Sequence, residues 1–212
     1  MQMGTATDIA VLVFARAPLP GRAKTRLIPR LGEWKAARLQ ARLTAHALRT
    51  ARAAGFAVEL HATPRRHDFF AFCKRRFSLP VKSQTGKDLG ERMYRAMRDA
   101  LRRHRAAIVI GTDCPILKPE DLRLAARWLR GGCDAVIAPA EDGGYALIGM
   151  SKVSAGIFSG IEWGGADVYR ATAKRLAAAG YRWRALRTVW DVDRPADLER
   201  LAGLGLRSRR SF

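Results

Sequence analysis

Residues 9–30 read IAVLVFARAPLPGRAKTRLIPR, and the fold turns on how the first seven of them are taken. Ile9–Ala15 is an apolar run too short to cross a bilayer and rich in branched side chains, which predicts a strand buried on both faces. Such a strand belongs inside a parallel sheet. The next stretch is the reverse in character: Arg16, Arg22, Lys24 and Arg26 crowd into one short loop stiffened by Pro18, Pro20 and Gly21. Cations confined in a stiff loop repel one another unless an anion holds them. At the carboxyl end of a buried strand, the anion that suits both an arginine fork and a lysine point charge is a phosphate. The loop is not a P-loop, because the first glycine of GxxxxGK[ST] is missing and two residues separate Gly21 from Lys24.

Working outward, short apolar runs recur at Ala57–Ala62, Ala107–Gly111 and Ala135–Ala138. Helical patterns lie between them. From Glu33 to Ala54, Leu39, Leu43 and Ala47 repeat every four residues, and Lys35, Arg38, Arg42, Arg49 and Arg52 form a second, basic stripe. Residues 91–104 repeat the scheme with Met93, Met97 and Leu101 inward and Arg95, Arg98 and Arg102 outward. Pro119 and Pro195 stand where a first helical turn tolerates a missing N–H. Strand alternating with helix predicts a three-layer α/β/α domain with a mostly parallel sheet, spanning residues 1–212 with loose ends at 1–7 and 206–212.

With 212 residues and 48% hydrophobic content, one sizeable core is expected. Cys73, Cys114 and Cys133 form no CxxC pair, so neither a disulfide framework nor a zinc site is indicated, and a reducing cytoplasm is the natural setting. A net charge of +20 raises a nucleic acid or an acidic surface as partner. The cations are spread along the whole chain, however, and no finger motif or RNA-binding aromatic signature accompanies them. A solvated basic surface is therefore the simpler reading, with nucleic-acid binding the lesser alternative and no membrane partner expected.

Four further stretches carry candidate chemistry. In IVIGTDCPIL, residues 108–117, Asp113 sits just beyond a buried strand, either as a turn former or as a ligand for Mg²⁺, which takes one or two carboxylates plus substrate phosphates. Cys114 beside it reads as a packed residue. In AEDGGYALIG, residues 140–149, Asp142-Gly143-Gly144 is a tight turn into a strand, or a place where Asp142 meets a substrate hydroxyl. In WDVDRPADL, residues 190–198, Asp191 and Asp193 alternate, so only one of them can face Asp113; Asp193 also suits the cap of a helix beginning at Pro195. In QTGKDLGERM, residues 84–93, Asp88 and Glu91 match a capping box, leaving Gly86 and Gly90 for close approach to a base. His46, His61, His67 and His104 show no metal spacing.

Together, FARAPLPGRAKTRL, QTGKDLGERM, GTDCPIL, EDGGYALIG, the Trp163 region and WDVDRPADL resemble a bacterial family of small GT-A-like proteins. That family is related to nucleotide-diphospho-sugar transferases and commonly labelled glycosyltransferases, some of them associated with arsenosugar biosynthesis. The resemblance covers nearly the whole chain. It departs at Gly164-Gly165, where Ser-Thr is usual after the tryptophan, and at Lys87-Asp88, where Gly-Asp is usual. It implies a GT-A fold that binds a nucleotide donor with Mg²⁺ or Mn²⁺. Arg16, Gly21, Lys24 and Arg26, with Arg22 among them, would cradle phosphates; Asp113 and Asp193 would take the metal; Asp142, Gly143 and Gly144 would face sugar or acceptor. Lys24 and Asp142 become the candidate catalytic groups. Glycosyl transfer to a small-molecule acceptor is the leading expectation, and nucleotidyl transfer with release of pyrophosphate, as in guanylyl- and cytidylyltransferases of the same fold, is the alternative.

Overall fold

The computed structural model describes residues 8–204, so the loose ends expected at 1–7 and 206–212 lie outside the described residues. The first apolar run is strand β1 (Ile9–Arg16), whose residues are buried up to Ala15. It lies near the centre of a seven-stranded sheet of order β3-β2-β1-β4-β6-β5-β7. Strands β2 (Ala57–Thr63), β4 (Ala106–Ile110) and β5 (Ala135–Pro139) coincide with the other three apolar runs. All pairings are parallel except those of β6 (Tyr145–Met150), which runs antiparallel to both β4 and β5. The short edge strands β3 (Val81–Ser83) and β7 (Trp183–Ala185) have no apolar run to announce them.

Strand geometry divides the core in two. Ile9, Val11, Val13 and Ala15 point to one face, packing with Leu48, Ala51, Phe70 and Leu122 from α2 (Glu33–Ala53), α3 (Asp68–Phe77) and α5 (Pro119–Arg130). Ala10, Leu12 and Phe14 point to the other, beneath Met93 and Met97 of α4 (Leu89–Leu101) and Leu176 of α6 (Val168–Ala178). The methionines are core, as their spacing predicts. A third cluster ties Leu27, beside the short helix α1 (Ile28–Leu31), and Leu43 to Trp190, Val192, Leu198 and Leu201, the last two on α7 (Asp197–Gly203).

Helix starts follow their local chemistry. Asp88 accepts the Glu91 N–H at 2.7 Å, while the Glu91 carboxylate takes the Lys87 N–H at 2.7 Å, a capping box displaced by one residue at its return bond. Pro119 opens α5 as expected. Pro195 does not open α7, which begins two residues later. There the Asp197 carboxylate accepts the backbone N–H groups of Asp193 and Arg194, at 2.9 and 2.7 Å, leaving the Asp193 side chain free of capping duty.

One departure from an apolar interior is confined to β2. Glu59 is 4% exposed and meets His61 at 3.1 Å, Lys82 at 3.1 Å and Arg103 at 2.8 Å. Burial by itself would raise its pKa, but the hydrogen bonds from His61, Arg103 and Lys82 prevail and hold the carboxyl well below the ordinary carboxylate range. A depressed folded pKa means stability that is complete above the unfolded value near 4.5 and is lost as pH falls toward the folded one. Glu59→Gln is expected to cost about 3 kcal/mol at neutral pH, the low end for a broken buried pair because Lys82 and Arg103 keep some solvent contact. Urea denaturation at pH 7 and again in acid checks this: the gap between the two proteins should narrow as the pH drops.

Candidate active site

Because β1, β4 and β5 run parallel and β6 returns antiparallel, the loops leaving the first three and the turn entering the fourth meet at one edge of the sheet. Arg16 ends β1 there and is exposed; Arg22 is exposed in the loop beyond it. The missing Cβ of Gly21 would stand 3.5 Å from the Glu33 carboxylate, so this bend rests on the start of α2.

Lys24 behaves differently from its basic neighbours. Its backbone is left-handed, with φ 51° and ψ 46°, a conformation costing a lysine on the order of 1 kcal/mol. The side chain turns inward, 3% exposed, to meet Asp113 at 2.8 Å and to donate to the Val192 carbonyl at 2.6 Å. Arg26 pairs with Asp193. The two loop cations are thus held by the two aspartates that the sequence singles out for a metal.

Asp113 is fixed from behind. Gln40 donates to Thr112 Oγ1 at 3.0 Å, Thr112 Oγ1 donates in turn to Asp113 Oδ1 at 3.4 Å, and the Asp113 carbonyl accepts the Val192 N–H at 2.8 Å. Gln40, 5% exposed on α2, escaped the sequence reading; a glutamine one residue from the apolar stripe of Leu39 and Leu43 is the signal that was available. Asp191, which the sequence leaves as the alternative to Asp193, also belongs here. Burial first, and then the charges of Asp113 and Asp142, push its carboxyl up to about 7, with Lys24 acting in the opposite direction. Asp191 therefore sits among the other acids, while Asp193 reaches outward to Arg26.

Asp142 Oδ1 accepts the Gly144 N–H at 2.9 Å, the tight turn expected of this motif. Gly143, at φ 89°, leaves no room for a side chain: an added Cβ would fall 1.8 Å from the Ala166 carbonyl oxygen, and its own carbonyl accepts the Tyr169 N–H at 2.8 Å. The segment after Trp163 is thereby fastened onto the turn. Gly90 serves the same fastening, since its Cβ would lie 2.5 Å from the Trp163 ring and 2.9 Å from Phe158; the close approach expected there of a base is made by these two residues. At Gly86 an added Cβ would meet the Arg92 nitrogen at 2.8 Å, inside the first turn of α4. Cys114 is buried, its thiol pushed up to about 12, and is packing rather than a nucleophile.

Among the described residues, no three His, Cys, Asp or Glu side chains gather closely enough to cage a metal. No described helix is long and apolar enough to cross a membrane.

A family described as "Uncharacterized protein conserved in bacteria (DUF2064)" matches residues 44–165. None of the curated proteins matches the sequence. Among solved structures, a Desulfovibrio desulfuricans G20 protein named as a "putative nucleotide-diphospho-sugar transferase" is 32% identical over 97% of this chain and 91% of its own, with a TM-score of 0.87. A CMP:2-keto-3-deoxy-manno-octonic acid synthetase complexed with CTP shares the fold at 13% identity, with a TM-score of 0.60 over 94% of this chain and 98% of that one. Rv0371c of Mycobacterium tuberculosis H37Rv, in complex with manganese, shares it at 20% identity and a TM-score of 0.55, over 92% and 98%. By its family match and by its 32% identity along almost the whole chain, the protein belongs to this bacterial family of GT-A-like proteins.

Proposed function

We propose that the protein is a transferase that uses a nucleotide-activated donor, with glycosyl transfer from a nucleotide-diphospho-sugar as its reaction. One observation carries the reading: Lys24 with Asp113, and Arg26 with Asp193, stand paired at the carboxyl edge of the sheet. Each pair joins a group suited to a donor diphosphate with a group suited to a divalent cation. Binding of a metal–diphosphate unit would exchange partners, giving phosphate oxygens to Lys24 and Arg26 and releasing the two carboxylates. The surplus acid charge felt by Asp191 fits a cation here, and two carboxylates are what Mg²⁺ or Mn²⁺ takes when phosphates complete its shell. When bound, that ion would supply charge neutralisation for the departing diphosphate.

The chain's own groups have separable tasks. Lys24 and Arg26, with Arg16 and Arg22 at the rim, hold and neutralise the diphosphate, stabilising the charge that develops on the β-phosphate oxygen as its bond to the sugar's anomeric carbon breaks. Gln40 and Thr112 orient Asp113. The Asp142–Gly144 turn presents a carboxylate and backbone to the sugar or acceptor, with Asp142 as the group to receive a proton from an acceptor hydroxyl.

Nucleotidyl transfer is the second reading, favoured by the fold shared with a CTP-bound synthetase. Products separate the two: a nucleoside diphosphate released from a nucleotide sugar supports the first, inorganic pyrophosphate from a nucleoside triphosphate the second. Binding comes before either. A panel of nucleotides and nucleotide sugars is expected to raise the melting temperature by several degrees in the presence of Mg²⁺ or Mn²⁺, since saturation at about a hundred times Kd adds about 2.7 kcal/mol. Asp113→Asn should abolish the metal-dependent part of that shift. A panel in which no nucleotide stabilises the protein would sink the proposal.

A further inference from the structure

Between Glu33 and Glu59 the chain contains no acidic residue, and this stretch includes the whole outer face of α2. Among the described residues, no lysine or arginine from Arg30 to Arg76 makes an ion pair, whereas elsewhere unpaired cations such as Arg98 and Arg102 alternate with paired ones such as Arg95, Arg103, Arg123 and Arg130. The uncompensated cations are also close together. After burial, repulsion from Arg76 and Arg42 lowers the pKa of Arg49, placing α2 and the end of α3 in one basic patch. At the amino end of the same helix, Trp34 is 78% exposed.

The shape of the patch selects its partner. α2 is the middle helix of its layer: Arg52 donates to the Phe77 carbonyl of α3 at 2.6 Å on one side, and Arg123 of α5 donates to the Ala53 carbonyl on the other. Three helices side by side, each about 10 Å across and the central one about 30 Å long, make a broad face that cannot enter a DNA major groove about 12 Å wide. A single-stranded nucleic acid calls for a groove with successive aromatic platforms, and this face offers Trp34 at one end of α2 and Phe72 on α3, separate from one another on a broad surface. A broad cationic face with an indole at its margin suits a planar anionic surface, where guanidinium groups meet headgroups and the tryptophan sits at the interface.

We propose that the outer face of α2, with Arg38, Arg42 and Arg49 as its charge and Trp34 as its interfacial anchor, docks the protein on anionic phospholipid bilayers. This revises the expectation of no membrane partner, which rested on the absence of a spanning segment and did not address a surface contact. Glu33, next to Trp34, lies against Gly21, so docking brings the loop of Arg22 and Lys24 near the headgroups.

Vesicle sedimentation with the full chain tests the proposal at low ionic strength. The protein should pellet with phosphatidylcholine vesicles containing phosphatidylglycerol and stay in solution with phosphatidylcholine alone. Arg38→Glu combined with Arg42→Glu should lower the partition coefficient by about tenfold or more, and Trp34→Ala should lower it further while removing any blue shift of tryptophan emission. The control is Arg98→Glu with Arg102→Glu on α4, across the sheet, which makes the same change in net charge and should alter partitioning by less than about twofold. Circular dichroism establishes that each variant is folded. Equal losses in both double variants would mean diffuse charge and overturn the proposal. So would failure of the parent protein to bind anionic vesicles, or tighter binding to duplex DNA or transfer RNA than to vesicles in the same buffer.

Discussion

Gly143→Ala is expected to destabilise the protein by about 3 kcal/mol or more and to disable the proposed transferase site with it. The methyl group would have to stand where the Ala166 carbonyl oxygen is, and that oxygen belongs to backbone, which cannot swing aside as a long side chain would. To this overpacking, worth about 1–3 kcal/mol, a left-handed φ adds on the order of 1–2 kcal/mol for any residue with a Cβ. Gly144→Ala is the control, because its added methyl group would meet only the Asp142 carboxylate, at 3.2 Å. Denaturant midpoints of the two variants should differ clearly. If they coincide, the 166 segment yields more readily than its fit against the turn implies, and the turn's geometry is not set there.

The second large effect belongs to Lys24. Lys24→Ala should weaken binding of a nucleotide sugar by about tenfold to a hundredfold, since a charge-assisted phosphate contact is worth about 1.5–3 kcal/mol. The native lysine comes to the ligand already ordered: its stem is buried, its backbone is committed to the left-handed region and its ammonium is held by Asp113 and Val192. Lys24→Arg should not rescue, because the planar fork is bulkier than the space a buried ammonium fills. Arg38→Ala, on the face proposed for lipid, should change donor affinity by less than about twofold in calorimetry at physiological salt. Equal losses at Lys24 and Arg38 would reduce the loop to one part of a general positive field.

These two residues also mark how far the sequence could be read. Strands β1, β4 and β5 were legible because burial on both faces demands unbroken apolar runs, β2 because Val58, Leu60 and Ala62 flank its buried Glu59 and His61, and α2 and α4 because a single buried face leaves a periodic stripe. Strands β3 and β7 were not, since VKS and WRA each form three residues of sheet edge where no such demand exists. Asp113 and Lys24 could each be picked out by position after a strand. Their contact with one another could not, because it depends on a backbone turn at Lys24 that no side-chain pattern encodes. Alternation separates Asp191, which lies toward Asp113 and Asp142, from Asp193, which meets Arg26; what the sequence does not show is that Asp197 rather than Asp193 takes the backbone N–H groups before α7. Gly90 and Gly143 were visible as glycines, but only packing reveals that protein, Trp163 in one case and Ala166 in the other, occupies the space.

The contacts that close the site have a consequence for the order in which it is made. Lys24 and Val192 are 168 positions apart, and Arg26 and Asp193 are 167 apart. Ribosomes add about 5–20 residues each second, so the cationic loop waits on the order of ten seconds for the segment that completes it. Through that interval β1, β2 and the helices between them can fold from contacts already in hand, while Arg26 still lacks its carboxylate. A nascent chain with most of its sheet in place is therefore still without the Lys24–Val192 and Arg26–Asp193 contacts of the proposed donor site. Both contacts become possible only when the segment leading into α7 docks.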